Sequence, residues 1–249
     1  MSASTEVELV IFDLDGVLVD TQQAETDALA HLAALQGVQM SAGEADELFA
    51  GKRLAECIDE ISRLAGAPAP TGAVELVRAN CEDLIGDTLV PIDGVREVLA
   101  ALDTTVCVAS NSPRELIRRR LSSAGLGRNF GERLYSAYDI GKWKPEPDLF
   151  TWAARDCGVA AGSCVVVEDS PAGVTAGLAA GMRVLQYVPG GAGTRGHAAS
   201  SGDAASSGSA GSGVPVVVPF TAMQDLPALI PGAGASGFPV VIEEVEQNV

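Results

Sequence analysis

Two aspartates stand two residues apart in Phe12-Asp13-Leu14-Asp15-Gly16, directly after the apolar run 9–12. If extended backbone persists through them, both side chains fall on one side of it, close enough to share a metal or a substrate. Crowded carboxylates repel, and a divalent cation relieves that repulsion. Were a phosphate received in the same place, one carboxylate could attack phosphorus while the other managed the proton of the leaving oxygen. Taken alone, the pair reads equally well as solvated acids marking a turn.

Three further segments share this setting. Residues 106–109 are apolar and run into Ser110-Asn111-Ser112-Pro113, where a hydroxyl and backbone N–H groups can meet phosphate oxygens at a helix N-terminus. An ordinary N-cap followed by proline is the simpler use of those residues. In Gly141-Lys142-Trp143-Lys144-Pro145-Glu146-Pro147, proline fixes the backbone beside Lys144 and could aim it inward as a stationary cation; an exposed lysine before a helix is the plainer alternative. Val165-Val166-Val167 runs into Glu168-Asp169-Ser170-Pro171-Ala172-Gly173. Asp169 with Asp13 would suit Mg2+, which takes oxygen ligands and few carboxylates, although the same acids could cap the next helix. Each bland reading suffices singly. All four segments, however, place the relevant residue at the carboxyl end of a separate strand or in the loop after it, and together they hold what in-line phosphoryl transfer needs: nucleophile, metal site, oxyanion contacts and acid/base.

The elements that must position these residues alternate. Strand-like runs at 8–12, 105–109, 164–167, 183–188 and 214–218 are separated by helical patterns at 95–102, 113–124, 148–157 and 174–180. This predicts an α/β fold with a Rossmann-like parallel sheet, whose sites form beyond the carboxyl ends of the strands. Residues 21–85 break the alternation with helix-like segments at 26–36, 44–49, 55–65 and 73–84, so a small helical cap domain is expected at 21–85, inserted into a core made of 1–20 and 86–249. The Gly/Ala/Ser-rich stretch 189–213 is too poor in large apolar groups to order itself and is expected to be a flexible loop. The run 238–242 could dock as an edge strand.

Composition narrows the partners. A formal charge of −17 and a pI near 4.3 argue against the cationic footprint that nucleic acid or an anionic membrane demands. Apolar residues make up 47% and aromatics only 4%, which suits an interior of Ala, Val and Leu. Five cysteines without a C-x-x-C pair argue for reduced, buried thiols rather than a disulfide framework or a zinc site. With no signal-like leader and no run long enough to span a bilayer, a cytoplasmic monomer acting on a small phosphorylated metabolite is expected.

These residues resemble the haloacid dehalogenase superfamily, whose four motifs stand here in order as Asp13-x-Asp15, Ser110, Lys144-Pro145 and Glu168-Asp169. The stretches 12–21 and 168–182 resemble the subgroup that contains β-phosphoglucomutase and many sugar-phosphate phosphatases. The resemblance implies that Asp13 is the nucleophile and a Mg2+ ligand, and that Asp15 is the general acid/base with its backbone carbonyl on the metal. It further implies that Asp169 is a ligand, that Glu168 acts through metal-bound water, and that Ser110, Asn111 and Lys144 hold the phosphoryl oxygens. Haloacid dehalogenases and phosphonate hydrolases of the superfamily lack an acid matching Asp15, which favours a phosphate ester. In the expected cap, Gly51, Lys52 and Arg53 are candidates to grip a distal anion, such as a sugar-acid carboxylate; exposed helix-start residues are the alternative. The segments 49–54 and 138–145 are similar to a branch acting on 6-phosphogluconate. Glu25 stands where the β-phosphoglucomutase pattern has histidine. A phosphoglucomutase-like transferase and a non-catalytic binding module on the same fold are the competing readings.

Overall fold

The structure, a computed structural model, describes residues 6–49, 52–190 and 216–230. Six strands form one parallel sheet: β1 (Leu9–Phe12), β2 (Thr105–Ser110), β3 (Leu134–Ser136), β4 (Cys164–Glu168), β5 (Arg183–Tyr187) and β6 (Val217–Phe220), ordered β3-β2-β1-β4-β5-β6. Unbroken apolar strands such as Leu-Val-Ile-Phe persist only where both faces of a sheet are covered. Here Val10, Phe12, Val108 and Val167 point into one apolar cluster, while Leu9, Ile11, Cys107 and Val166 point into another on the opposite face. The helices that cover the sheet are α5 (Val95–Ala101), α6 (Arg114–Ser123), α7 (Gly127–Phe130), α8 (Ala137–Ile140), α9 (Asp148–Asp156), α10 (Pro171–Ala179) and α11 (Leu226–Leu229).

Register decides what meets at the rim. Phe12 is paired with Val108 on one side and Val167 on the other, and the Asp13 amide donates to the Val167 carbonyl at 2.9 Å. Asp13 therefore leaves the sheet level with Glu168, and Ser110 ends the neighbouring strand. The expected parallel α/β architecture is present. Two details differ from the sequence expectation. The edge strand β3 was not anticipated, because three residues cannot display an alternating pattern. β6 covers Val217–Phe220, later than the 214–218 run, of which residues 214 and 215 lie outside the described residues, as do 191–213 of the Gly/Ala/Ser stretch and the run 238–242.

Between β1 and α5 the chain forms α1 (Gln22–Leu35), α2 (Ala42–Phe49), α3 (Leu54–Ala65) and α4 (Ala73–Ile85). They bury an apolar cluster of their own, including Leu32, Phe49, Ile61 and Val77. α1 starts four residues earlier than its periodicity suggested. The chain leaves and re-enters the core at neighbouring points: Val19 bridges to Pro91, and Ile92 donates to the Leu18 carbonyl at 3.1 Å. Among the described residues all five cysteines are free, and no helix is long and apolar enough to cross a membrane.

Candidate active site

Directly after β1, the chain turns sharply on Gly16, whose φ of +80° is open to glycine but strained for other residues. A side chain there would also overlap the Asp169 carboxylate. Gly16 thus lets the acid at the end of β4 come up against the loop that carries Asp13 and Asp15. Gly173 plays the same part for Glu168, whose carboxyl group fills the space a Cβ would take.

Lys144 lies at the centre of this corner, with its side chain only 4% exposed. Its Nζ donates to Asp13 Oδ1 at 2.5 Å and to Glu168 Oε1 at 2.6 Å, and it faces the Phe150 ring at 4.9 Å. Asn111 holds its backbone, accepting the Lys144 amide on Oδ1 at 3.0 Å and donating from Nδ2 to the Lys144 carbonyl at 3.5 Å. Burial works against the ammonium, but Asp13 and Glu168 outweigh it and raise its pKa. Glu168, fully buried, also accepts from the Ser170 amide and hydroxyl, both at 2.9 Å. The Ser170 hydroxyl in turn accepts from Gly173 N at 3.0 Å and caps α10, with Pro171 in the first turn.

The donor set fits a divalent cation. Asp13, Glu168 and Asp169 each place a carboxylate oxygen within 4.8 Å of the others. Three carboxylates against one ammonium leave two negative charges in a buried corner. The consequence is visible in their acidity. Burial, with Glu168, Asp169 and Asp15 adding to it and Lys144 opposing, holds the Asp13 carboxyl well above the usual range. Burial and Glu168 push Asp169 up to about 7, again against Lys144. Hard oxygen donors with this uncompensated charge are what Mg2+ prefers.

Asp15 lies in a different environment. Its Oδ1 accepts from Thr21 Oγ1 at 3.0 Å and from Arg120 Nη1 at 2.5 Å, and its Oδ2 accepts from Ser112 Oγ at 3.3 Å. Ser110, buried at the end of β2, accepts on Oγ from the Ser112 amide at 3.0 Å. None of Thr21, Ser112 and Arg120 was singled out from sequence. Arg120 carried a usable signal: Ile117, Arg120, Leu121 and Ala124 fall at the spacing of a buried helical stripe, and an arginine in such a stripe requires a partner.

These groups open into a cavity of about 590 Å3 between the strand ends and α1–α4, lined among others by Asp13, Asp15, Glu25, Lys52, Arg78 and Trp143. Of the cations expected to grip a distal group, Arg53 is already committed: its guanidinium donates to Glu56 Oε1 at 2.9 and 2.5 Å, and its amide to Glu56 Oε2. Lys52 also lines the cavity; among the described residues its ammonium makes no hydrogen bond or close ion pair, although its charge is felt by Glu56 and Glu60. Gly51 lies outside the described residues. Opposite, Arg78 of α4 donates to the Tyr138 hydroxyl and stacks over its ring at 5.1 Å, while Tyr138 meets Trp143 edge-on at 5.5 Å.

A Rossmann-like sheet that gathers an acid cluster and a buried lysine over its strand ends defines a class of enzymes that carry out substitution at an anionic centre. Residues 7–181 match the model of the haloacid dehalogenase-like hydrolases, and the chain belongs to that family. It is 33% identical over 184 residues to 6-phosphogluconate phosphatase of Escherichia coli (strain K12), covering 74% of this chain and 83% of that protein. Hexitol phosphatase B of the same organism is 31% identical over 192 residues, covering 74% and 84%. A crystal structure of a HAD family hydrolase from Deinococcus radiodurans R1, with bound phosphate and sodium, superposes with a TM-score of 0.68 at 28% identity, covering 92% of this chain and 97% of that one. The chain is an enzyme of the phosphoric monoester hydrolase class.

Proposed function

We propose that the protein hydrolyses the phosphate ester of a small sugar or sugar acid, with 6-phosphogluconate as the first substrate to test, through an aspartyl-phosphate on Asp13. The observation that carries this reading is the convergence of Asp13, Lys144, Glu168 and Asp169 in one buried corner, with Asp15 beside it over the same cavity. In the first step a carboxylate oxygen of Asp13 attacks phosphorus, the ester P–O bond breaks, and Asp15 gives its proton to the leaving oxygen. In the second, Asp15 takes a proton from water, the water oxygen attacks phosphorus, and the acyl phosphate bond breaks to return Asp13 and release phosphate. Ser110, Asn111 and Lys144 surround the phosphoryl oxygens, with Asn111 also holding Lys144 in place. Asp13, Asp169, the backbone carbonyl of Asp15 and, through water, Glu168 would hold Mg2+, which when bound supplies the positive charge that the three acids and the phosphoryl group lack.

The helices at 21–85 act as a cap over this site, and its floor and roof together set the substrate. Of the two Escherichia coli relatives, one is named for 6-phosphogluconate, a sugar-acid phosphate, and the other for hexitols. The Lys52 ammonium, not held in a close ion pair, suits a carboxylate at the far end of such a substrate; Arg53, paired with Glu56, does not. Release of inorganic phosphate from a panel of sugar and sugar-acid phosphates with Mg2+ tests the proposal. Turnover of 6-phosphogluconate that is lost in Asp13→Asn supports it. Conversion of β-glucose 1-phosphate to glucose 6-phosphate without matching free phosphate would replace it with the transferase.

A further inference from the structure

Arg120 is the one buried arginine among the described residues. It rises from α6 of the core into the seam with the inserted helices, its side chain 4% exposed. Its Nη1 donates to Asp15 Oδ1 at 2.5 Å and to Glu25 Oε1 on α1 at 3.0 Å. Its Nε donates to Glu82 Oε1 on α4 at 3.0 Å, and its Nη2 to Cys81 Sγ at 3.5 Å. Every edge of the guanidinium fork is occupied. The neighbouring Arg119 reaches the other oxygen of Glu82 at 3.4 Å, but from a 60% exposed side chain.

We propose that Arg120 is a positioning residue for Asp15: it fixes the acid/base carboxylate and ties its orientation to the seating of α1 and α4 through Glu25 and Glu82. This rests on the reading of Asp15 as general acid/base. A planar fork can hold three carboxylates in set directions, which a point charge on a flexible stem cannot. The three acids it bridges belong to three elements, one in the core loop and two in the insert. When the inserted helices sit as described, Asp15 is aimed. When they lift, Arg120 loses two of its three anionic partners and Asp15 loses the frame that aims it.

The test compares two leaving groups in purified, folded variants. 6-Phosphogluconate needs a proton on its departing alkoxide; 2,4-dinitrophenyl phosphate does not. Arg120→Met is expected to lower kcat on the sugar-acid phosphate about 100-fold, the cost of a misplaced catalytic group, with KM changed less than about 3-fold. The pre-steady-state burst of dinitrophenolate should stay near the wild-type rate. Arg120→Lys should recover only a small part of the loss. A residue that merely holds the fold would slow both substrates alike, so equal losses, or none, overturn the inference. Should Arg120→Met fail to fold, the double variant Glu25→Gln, Glu82→Gln must display the same leaving-group dependence at smaller size, and its absence there overturns the inference as well. Asp15→Asn run in parallel separates the two readings. If it lacks leaving-group dependence, the role of Asp15 fails; if it has it and Arg120→Met does not, only the role of Arg120 fails.

Discussion

Two corners of the site are built on one electrostatic plan, a buried cation ringed by carboxylates. In the lysine corner, Lys144, from the loop between α8 and α9, is held by Asp13 and Glu168 with Asp169 close by, and all three acids come from a strand end or the turn after it. In the arginine corner, Arg120 is held by Asp15, Glu25 and Glu82, and two of the three acids come from the inserted helices. The acids of the first are set by the central strands β1 and β4, and its lysine backbone is held by Asn111. The second exists only while two separately packed parts of the chain meet. A group that must stay still during reaction belongs in the former, and one that must respond to what occupies the cavity belongs in the latter.

The largest effects should break the lysine corner. Asp13→Asn is expected to abolish phosphate release, since no other group stands in its place. Lys144→Met should lower turnover by at least about a thousandfold. It should also cost roughly 3–5 kcal/mol in urea unfolding, because Asp13 and Glu168 are left buried without a counter-charge. Glu82→Gln, which keeps a hydrogen-bonding partner for Arg120, should cost only about 1–2 kcal/mol. If the two losses of stability turn out equal, the contrast between a fixed and a contingent corner is wrong.

A pH series sharpens the contrast further. The Asp169 carboxyl is raised in the folded protein from 3.8 to about 7, so it takes up protons more readily folded than unfolded. The stability this confers is complete below its ordinary value and is lost as pH rises through about 7. Thermal unfolding of the metal-free protein should therefore fall in midpoint between about pH 4 and pH 7 and level off above, with Mg2+ restoring more at the upper end. Asp169→Asn should flatten both trends. A smaller effect is expected of Gly16→Ala, at about 1–3 kcal/mol for the positive φ, together with weaker Mg2+ binding because the new methyl meets Asp169. Smallest is the cavity wall: Lys52→Ala should raise KM for a sugar-acid phosphate about 10-fold and Arg53→Ala less than about 2-fold, reflecting a cation outside any close ion pair and a paired one.

How much could be read from the chain follows the same division. Asp13, Asp15, Ser110, Lys144, Glu168 and Asp169 each stand beside an apolar run or a proline, and local pattern is what a sequence displays. Arg120, Glu25 and Glu82 are far apart along the chain, in the end turns of three different helices. Their meeting depends on how α1 and α4 sit over α6, which no local spacing records. The commitment of Arg53 to Glu56 was closer to legible, since an acid three residues into a helix commonly turns back to its start. β3 escaped notice for want of length.

The paired crossings at Val19 and Pro91 carry one more consequence. Because departure and return are stitched side by side, the sheet registers the excursion between them as little more than a tight turn. Whatever is threaded through that doorway can lengthen, shrink or change its lining while the strand ends keep their spacing. Selectivity can thus be renovated from above without disturbing the foundations that perform the bond-breaking.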